Sequence, residues 1–443
     1  MRIGFGKVDI TPRVGVEMSG FGPYRHRVAR DVRDRLYARA MAASDGRGRW
    51  VLVSGDLIAV NAAVVAEARS LIAKATGLAA RQIMLHATHT HSGPATAYPF
   101  GWGEKDGPYI ERLASLITRA AVEAVGNLAE AEVLYAAAPV EHIAYNRSLE
   151  SRPKYEAALK ENWLPRFPEQ TDRLAHVLCV RRRGRMIGFL SSFSCHPVVC
   201  CEDTYSLHGD YAGVATNTVE TENTGCVGMF LQGGHGDINT AVCHEPQERS
   251  MRALKVLAGR YARTIRQGLA LAKPIKPSPV KSALDRVVFR RARLTVPQME
   301  KQIASYRKKV LDLTHSDQEE DLRMNMVHLA GLRAILAHFV RTGTHETPLD
   351  MQALRLGEVT IVGTPFELYR GIKERLLREA RCSPLLMLSM TNDAAGYAPT
   401  RERFKKDSYS ASMVPHIVGT CPFTASLESE IVAASLRLIE RLE

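Results

Sequence analysis

No apolar run in the 443 residues approaches the length that crosses a bilayer, so no integral membrane segment is expected. Cysteine occurs at 8 positions but never in a Cys-x-x-Cys spacing, and Cys200 and Cys201 are adjacent, which argues for reduced thiols rather than a disulfide scaffold. Aromatic residues make up only 7%, with 3 tryptophans, leaving no Trp-rich amphipathic helix to insert into a membrane interface. Met1 to Pro12 show neither a charged-then-apolar leader nor a small-residue cleavage site, and with the thiols this sets a cytoplasmic location as the expectation. Acidic residues are outnumbered, 47 against 59 basic ones, for a net charge of +12. Such a surplus suits an anionic substrate, an acidic membrane surface or nucleic acid. The basic residues are scattered, however. Their densest runs, 181–185 and 290–293, read as a hairpin turn and a solvated strand edge, so no nucleic-acid partner is expected.

What is present is an ordinary globular composition, 45% hydrophobic and 24% charged, on a chain long enough for a large core. Strand-like runs recur at Trp50–Ser54, Ile83–Ala87, Val133–Tyr135, Val177–Val180, Ile187–Phe193, Cys226–Leu231, Val359–Val362 and Leu385–Leu388. Apolar residues at three- and four-residue spacing fill the gaps at Ala62–Ala75, Tyr109–Leu128, Met251–Leu271, Leu368–Ala380 and Ala425–Leu442. This alternation predicts an α/β fold, a layered mixed β-sheet core with flanking helices and an active site at the strand carboxyl ends. No internal repeat stands out. Residues 274–347 change character: a Pro-rich stretch at 274–279, a basic strand over Val287–Leu294, then charged helices near Pro297–Val310 and Asp317–Phe339. They read as a helical insertion, either a peripheral hairpin packed on the main sheet or a lid over a site. No flexible linker separates them, so one domain spanning 1–443 is expected.

The most informative stretch is His86-Ala87-Thr88-His89-Thr90-His91-Ser92-Gly93-Pro94, directly after an apolar strand. Alternation along an extended chain would put His89 and His91 on one side, where they share a metal, split into ligand and acid/base, or simply hydrogen-bond the turn. His196, before Pro197, and Glu367, in Thr364-Pro365-Phe366-Glu367, also fall at strand ends. A catalytic zinc site takes about three strong protein ligands and an open position. His89, His196 and Glu367 supply a two-His, one-carboxylate set in which every member sits at a strand terminus. Glu367 also reads as a helix N-terminal acid, Asp56 as a helix cap rather than a catalytic acid, and His208 and His235 either as hydrogen-bonding residues of glycine turns or as further ligands.

The order Asp9-Ile10-Thr11, Arg35-Leu36-Tyr37-Ala38-Arg39-Ala40, Ser54-Gly55-Asp56-Leu57, Thr88-His89-Thr90-His91-Ser92-Gly93-Pro94, Asn146-Arg147-Ser148, Cys195-His196-Pro197, Gly209-Asp210, Gly236-Asp237, Pro365-Phe366-Glu367 and Gly396-Tyr397-Ala398-Pro399-Thr400 resembles the catalytic domain of the neutral/alkaline (non-lysosomal) ceramidases over nearly the whole chain. The resemblance implies one Zn2+ held by His89, His196, Glu367 and Tyr397. It makes His91 the acid/base, Arg147 a catalytic and substrate-side residue, and Tyr409, twelve positions beyond Tyr397, a stabiliser of the oxyanion. Asp210 and Asp237 become substrate-side candidates. The implied activity is zinc-dependent hydrolysis of a linear N-acyl amide by activated water, in lipid and sphingolipid metabolism.

Departures shape the substrate expectation. Phe366 stands where the family has Gly, Ser410 follows Tyr409 where it has Glu, and no length remains for the C-terminal β-sandwich of the true ceramidases. An N-acyl compound smaller or more soluble than ceramide is therefore expected. The alternatives are a metal-dependent esterase or lactonase on a small anionic substrate, with Arg147 anchoring a carboxylate, and a non-catalytic metal-binding relative. Self-association is left open.

Overall fold

The computed structural model describes residues 1–276 and 279–443; residues 277 and 278, within the expected Pro-rich stretch, lie outside the described residues. Three units of like topology follow one another. In the first, β1 (Arg2–Asp9), β2 (Tyr37–Ser44) and β3 (Arg49–Gly55) pair antiparallel in sequence, and β4 (Ile83–Ala87) joins β3 in parallel. The second repeats this with β5 (Glu132–Pro139), β6 (Leu174–Arg182), β7 (Arg185–Phe193) and the parallel β8 (Val227–Gln232). The third does so with β9 (Lys281–Val287), β10 (Leu349–Leu356), β11 (Val359–Gly363) and the parallel β12 (Leu385–Leu388).

A parallel pair needs a crossover, and each unit supplies one helix for it. These are α1 (Ala62–Thr76), α3 (Asp210–Glu222) and α7 (Arg370–Glu379). A second helix follows each fourth strand: α2 (Gly107–Gly126), α4 (Gln247–Leu271) and α8 (Leu427–Glu440). Helix α1 is fixed at its start by Asn61, whose side chain accepts the Ala63 and Val64 N–H groups, and ends at Gly77 with φ 69°. Helix α2 lies so close on β1 that a Cβ at Gly4 or Gly6 would stand 2.2 Å from a helix carbonyl.

The strands read as unbroken apolar runs because both sheet faces are covered. Val51 and Val53 face the helices, while Trp50 and Leu52 join a central core with Leu178, Leu190, Met229, Leu354, Ile361 and Leu386 from the other sheets. The three sheets thus share one apolar centre, and each turns its outer face to its own helices. The same ends of all the third and fourth strands are gathered together. His86 ties units one and two, since its Nε2 accepts the Gln232 N–H at 3.0 Å.

The α/β expectation holds, and nearly every predicted strand and helix appears. The repeat lies in topology, not in residue identity, and so leaves no periodicity in the sequence. The basic strand expected at Val287–Leu294 is displaced: the strand is Lys281–Val287, and Arg291 leaves the sheet to bury against the Phe423 ring, 4.0 Å from its centroid. The insertion forms the helical hairpin α5 (Val296–Val310) and α6 (Glu320–Thr342). It packs on the short helix Val414–Val418 and on Gly101, through His328, Gly331 and Val327, the last of which joins the apolar cluster of the first sheet. All 8 cysteines are free, and among the described residues no helix is long and apolar enough to cross a membrane.

Burial carries a pH signature. Desolvation pushes His86 and His208 down to about 3, and His176 and His416 to about 4, against an ordinary 6.5. Depressed imidazoles contribute stability that is full above pH 6.5 and is lost as the pH falls, at about 1.4 kcal/mol per pH unit each. Asp210, pushed up to about 6 by burial, acts oppositely, losing its contribution as pH rises from the usual carboxylate range through 6, and offsets only one of the four. Thermal unfolding followed by circular dichroism should show Tm dropping steeply below pH 6.5. A flat Tm in that range would mean that these imidazoles carry charge in the fold.

Candidate metal centre

The strand-end loops of all three units meet at one buried point. His89 comes from the loop after β4, His196 from the loop after β7, His235 from the loop after β8, and Glu367 from the loop after β11. One donor atom from each lies within 4.8 Å of the others, and all four residues are buried. Glu367 Oε2 is 3.1 Å from His196 Nε2, 3.4 Å from His89 Nε2 and 3.9 Å from His235 Nε2.

Backbone carbonyls decide which ring nitrogen faces the centre. His89 Nδ1 meets Ile58 O at 2.7 Å, His196 Nδ1 meets His235 O at 2.8 Å, and His235 Nδ1 meets Gly233 O at 2.9 Å. His91 Nδ1 meets Gly20 O at 3.1 Å. A carbonyl only accepts, so each Nδ1 carries a proton, and in a neutral ring Nε2 is then the side that presents a lone pair. His235 Nε2 has no partner at all, and His91 Nε2 stands 3.3 Å from His89 Nε2. Lone pairs aimed at one another beside a buried carboxylate repel, or go unsatisfied, unless a cation lies among them. Outer hydrogen bonds of this kind are how metal-ligating imidazoles are held.

The protonation states agree. Burial pushes His196 down to about 4, and burial with the neighbouring imidazoles holds His91 and His235 well below 6.5. Burial alone would raise Glu367, but His89 and His196 beside it hold it well below the usual carboxylate range. An ionised Glu367 and the neutral rings of His196, His91 and His235 therefore face the centre.

Oxygen donors border it. Glu367 and Tyr397 are register partners in a two-residue parallel ladder, and Tyr397 Oη stands 3.4 Å from His196 Nε2. Arg147 donates Nη2 to Tyr397 Oη at 2.9 Å and to Gly236 O at 2.6 Å. Tyr409 sits at the rim, 38% exposed, with its ring 5.8 Å from that of Tyr397, and desolvation pushes its phenol up to about 12. Tyr98, buried, donates to Glu367 Oε1 at 2.9 Å and so leaves Oε2 for the imidazoles.

The backbone is bent to make this arrangement. His89 and Tyr98 hold φ of 64° and 54°, in the left-handed region that non-glycine residues rarely occupy. His89 and His91 thus converge through a left-handed residue after the strand has ended at Ala87, not through the expected alternation. Gly20, at φ 106°, has no room for a Cβ, which would meet His91 Nδ1 at 2.3 Å.

Of the residues expected from sequence, His89, His91, His196, Glu367, Tyr397, Arg147 and Tyr409 come together. Asp210 does not join them: its carboxylate accepts the N–H groups of Tyr211, Cys200 and Val199 and so orders the loop beyond His196. Asp237 lies behind Arg147, accepting from Asn146 Nδ2 at 3.0 Å and from the Arg370 N–H at 2.8 Å at the start of α7. Asp56 caps no helix; it pairs with the buried Arg39 at 2.7 Å. His235 joins the centre rather than a turn's hydrogen bonding alone, and its position after β8 matches that of His89 after β4. Tyr98 left no signal beyond its place four residues past the His box, which ends at Pro94.

A layered α/β frame with a buried histidine–carboxylate cluster at its strand ends defines a class of candidate metalloproteins. Residues 1–254 match the family described as neutral/alkaline non-lysosomal ceramidase, N-terminal, and the chain belongs to that family. The neutral ceramidase of Pseudomonas aeruginosa is 28% identical over 256 residues, covering 54% of this chain and 37% of that protein, so the match spans little more than a third of the relative's length. The crystal structure of the Pseudomonas aeruginosa neutral ceramidase superposes with a TM-score of 0.74 at 20% identity, over 99% of this chain and 74% of the other. A ceramidase complexed with C2 gives a TM-score of 0.74 at 19% identity, over 99% and 75%. These two likenesses show the fold.

Proposed function

We propose that the protein is a zinc-dependent hydrolase of linear N-acyl amides. The observation that carries this is the convergence of three imidazole Nε2 atoms and one carboxylate on a buried point, with His235 Nε2 left without a partner. Imidazole and carboxylate donors in this number suit zinc, and the His89, His196 and Glu367 trio has Tyr397 and His235 at hand as further donors. Bound there, the ion supplies a Lewis acid and a water whose pKa is lowered to roughly 7.

The chain's own residues supply the rest. His91, neutral and fixed by Gly20 O, offers Nε2 to take the proton of the attacking water and return it to the leaving nitrogen. Arg147 fixes the Tyr397 phenol through its Nη2. Tyr409, whose phenol stays protonated at neutral pH, is placed to donate to the carbonyl oxygen as negative charge develops on it. The relative named a neutral ceramidase and the family membership support the amide bond as the target. The polar, arginine-bearing surroundings of Tyr397 support a substrate smaller or more soluble than ceramide.

Elemental analysis of stripped and reloaded protein, followed by a panel of amides, esters and lactones, tests this. One equivalent of zinc and a preference for N-acyl amides are expected. Failure to retain any transition metal, or a preference for esters or lactones over every amide, would overturn the reading.

A further inference from the structure

A cavity of about 690 Å³ opens beside the centre, lined by Tyr145, Arg147, Ser148, Glu150, Arg152 and Arg166 among others. Its lining is unbalanced in charge, with three guanidiniums against one carboxylate. Glu150 accepts the Arg166 N–H on Oε2 at 2.9 Å, while its Oε1 has no partner, so one carboxylate faces three guanidiniums. Among the described residues none of the three guanidiniums is paired with a carboxylate. Arg147 is held by Gly236 O and Tyr397 Oη, Arg152 gives Nη1 to Cys243 O at 2.6 Å and His244 O at 2.7 Å, and Arg166 lies over the Phe167 ring. Those contacts fix Arg152 in place while leaving its other N–H donors unused. Three guanidiniums lining one cavity against a single carboxylate leave it an excess of positive charge that suits an anion, and their planar fork matches an oxyanion bidentately.

The cavity is joined to the centre through a single residue. Arg147 lines it and donates to Tyr397 Oη, which itself stands 3.4 Å from His196 Nε2. A substrate with its amide at the centre and a carboxylate a few bonds away would span both.

We propose that this cavity is an anion subsite, and that the substrates are N-acyl amides bearing a carboxylate close to the scissile bond, as in an N-acyl amino acid. The inference rests on the amide-hydrolase reading above for the reaction and on the arginine cavity for the specificity. Arg152 and Arg166 are its specificity-determining residues; Arg147 belongs to the catalytic surroundings.

The test compares an N-acylglycine with the N-acylglycinamide of the same acyl chain, on the zinc-loaded full chain. The acid should be preferred in kcat/KM by about 10-fold or more, the scale of a hydrogen-bonded charge. Arg166→Gln, at an exposed residue, should remove most of that preference by raising KM for the acid while leaving the glycinamide unchanged. Arg152→Lys, which keeps the charge but loses the fork, should remove part of it. Calorimetric binding of the N-acylglycine should weaken in Arg166→Gln and with added salt. Equal kcat/KM for acid and glycinamide, unaltered by either variant, would overturn the subsite while leaving amide hydrolysis intact. Binding of the N-acylglycine that depends on Arg166 without turnover of any amide would uphold the subsite and overturn the amide-hydrolase reading instead.

Discussion

Replacing Glu367 by Gln should cost the protein its metal. The change keeps size and shape but removes the only carboxylate among the four donors that lie within 4.8 Å of one another. Three imidazoles remain, and an amide oxygen is a far weaker ligand than a carboxylate. Zinc content after dialysis should fall from one equivalent to a small fraction. Hydrolysis should fall by orders of magnitude, because activation of the water depends on the ion. A second readout is independent of activity. A ligand that binds only the native state adds RT ln(1 + [L]/Kd), about 2.7 kcal/mol at a hundredfold excess over Kd, so the stripped and reloaded forms should differ in Tm. That difference should vanish in Glu367→Gln. Tyr98→Phe offers the graded comparison, since it keeps the carboxylate and deletes only the 2.9 Å hydrogen bond to Oε1. Loss of such an outer partner typically weakens metal binding by about 10- to 100-fold. Undiminished zinc in Glu367→Gln would place the metal elsewhere.

How much of this was legible in the sequence can be argued from individual residues. Strands such as Ile83–Ala87 and Leu385–Leu388 were plain because sheets covered on both faces leave no polar position to break the run. The sites at strand ends followed from the architecture: in an α/β fold the loops after the carboxyl ends carry function. His196 and Glu367 were placed there by the residues alone, His89 by its box, and Tyr397 by the family resemblance. What remained hidden is what depends on backbone bends and three-dimensional register. The His89–His91 convergence needs a left-handed His89, and nothing in a one-dimensional pattern announces a non-glycine residue at φ 64°. Tyr98 reaches Glu367 across 269 positions, a contact with no local signature. His235 read as a histidine of a glycine turn or as a further ligand, and the repeat of topology decides between them by aligning its loop, after a fourth strand, with that of His89. The threefold arrangement escaped notice because each unit fills its strands with different apolar residues. Burial constrains their polarity, not their identity.

His91→Ala should leave the metal in place and remove the chemistry. The prediction separates two roles that the His box allowed from the start. His91 Nε2 is 3.3 Å from His89 Nε2, near enough to share a ligand's position, yet the tight set of four donors forms without it. Its ring is held from outside that set, by Gly20 O on Nδ1 and by the Phe21 ring, 5.1 Å away. Deleting it therefore disturbs none of the carbonyl contacts that aim His89, His196 and His235. Zinc content and the Tm gain on reloading should match the wild type, while kcat falls by about 10²- to 10⁴-fold, the usual share of a positioned acid/base. KM should change little, because the group acts on the proton in flight and not on bound substrate. A ligand role would give the opposite pattern, with zinc and the Tm gain lost together as in Glu367→Gln. If kcat is instead unaltered while zinc stays bound, the proton is handled by another group, and Tyr409, whose ring lies 5.8 Å from that of Tyr397, becomes the residue to replace next.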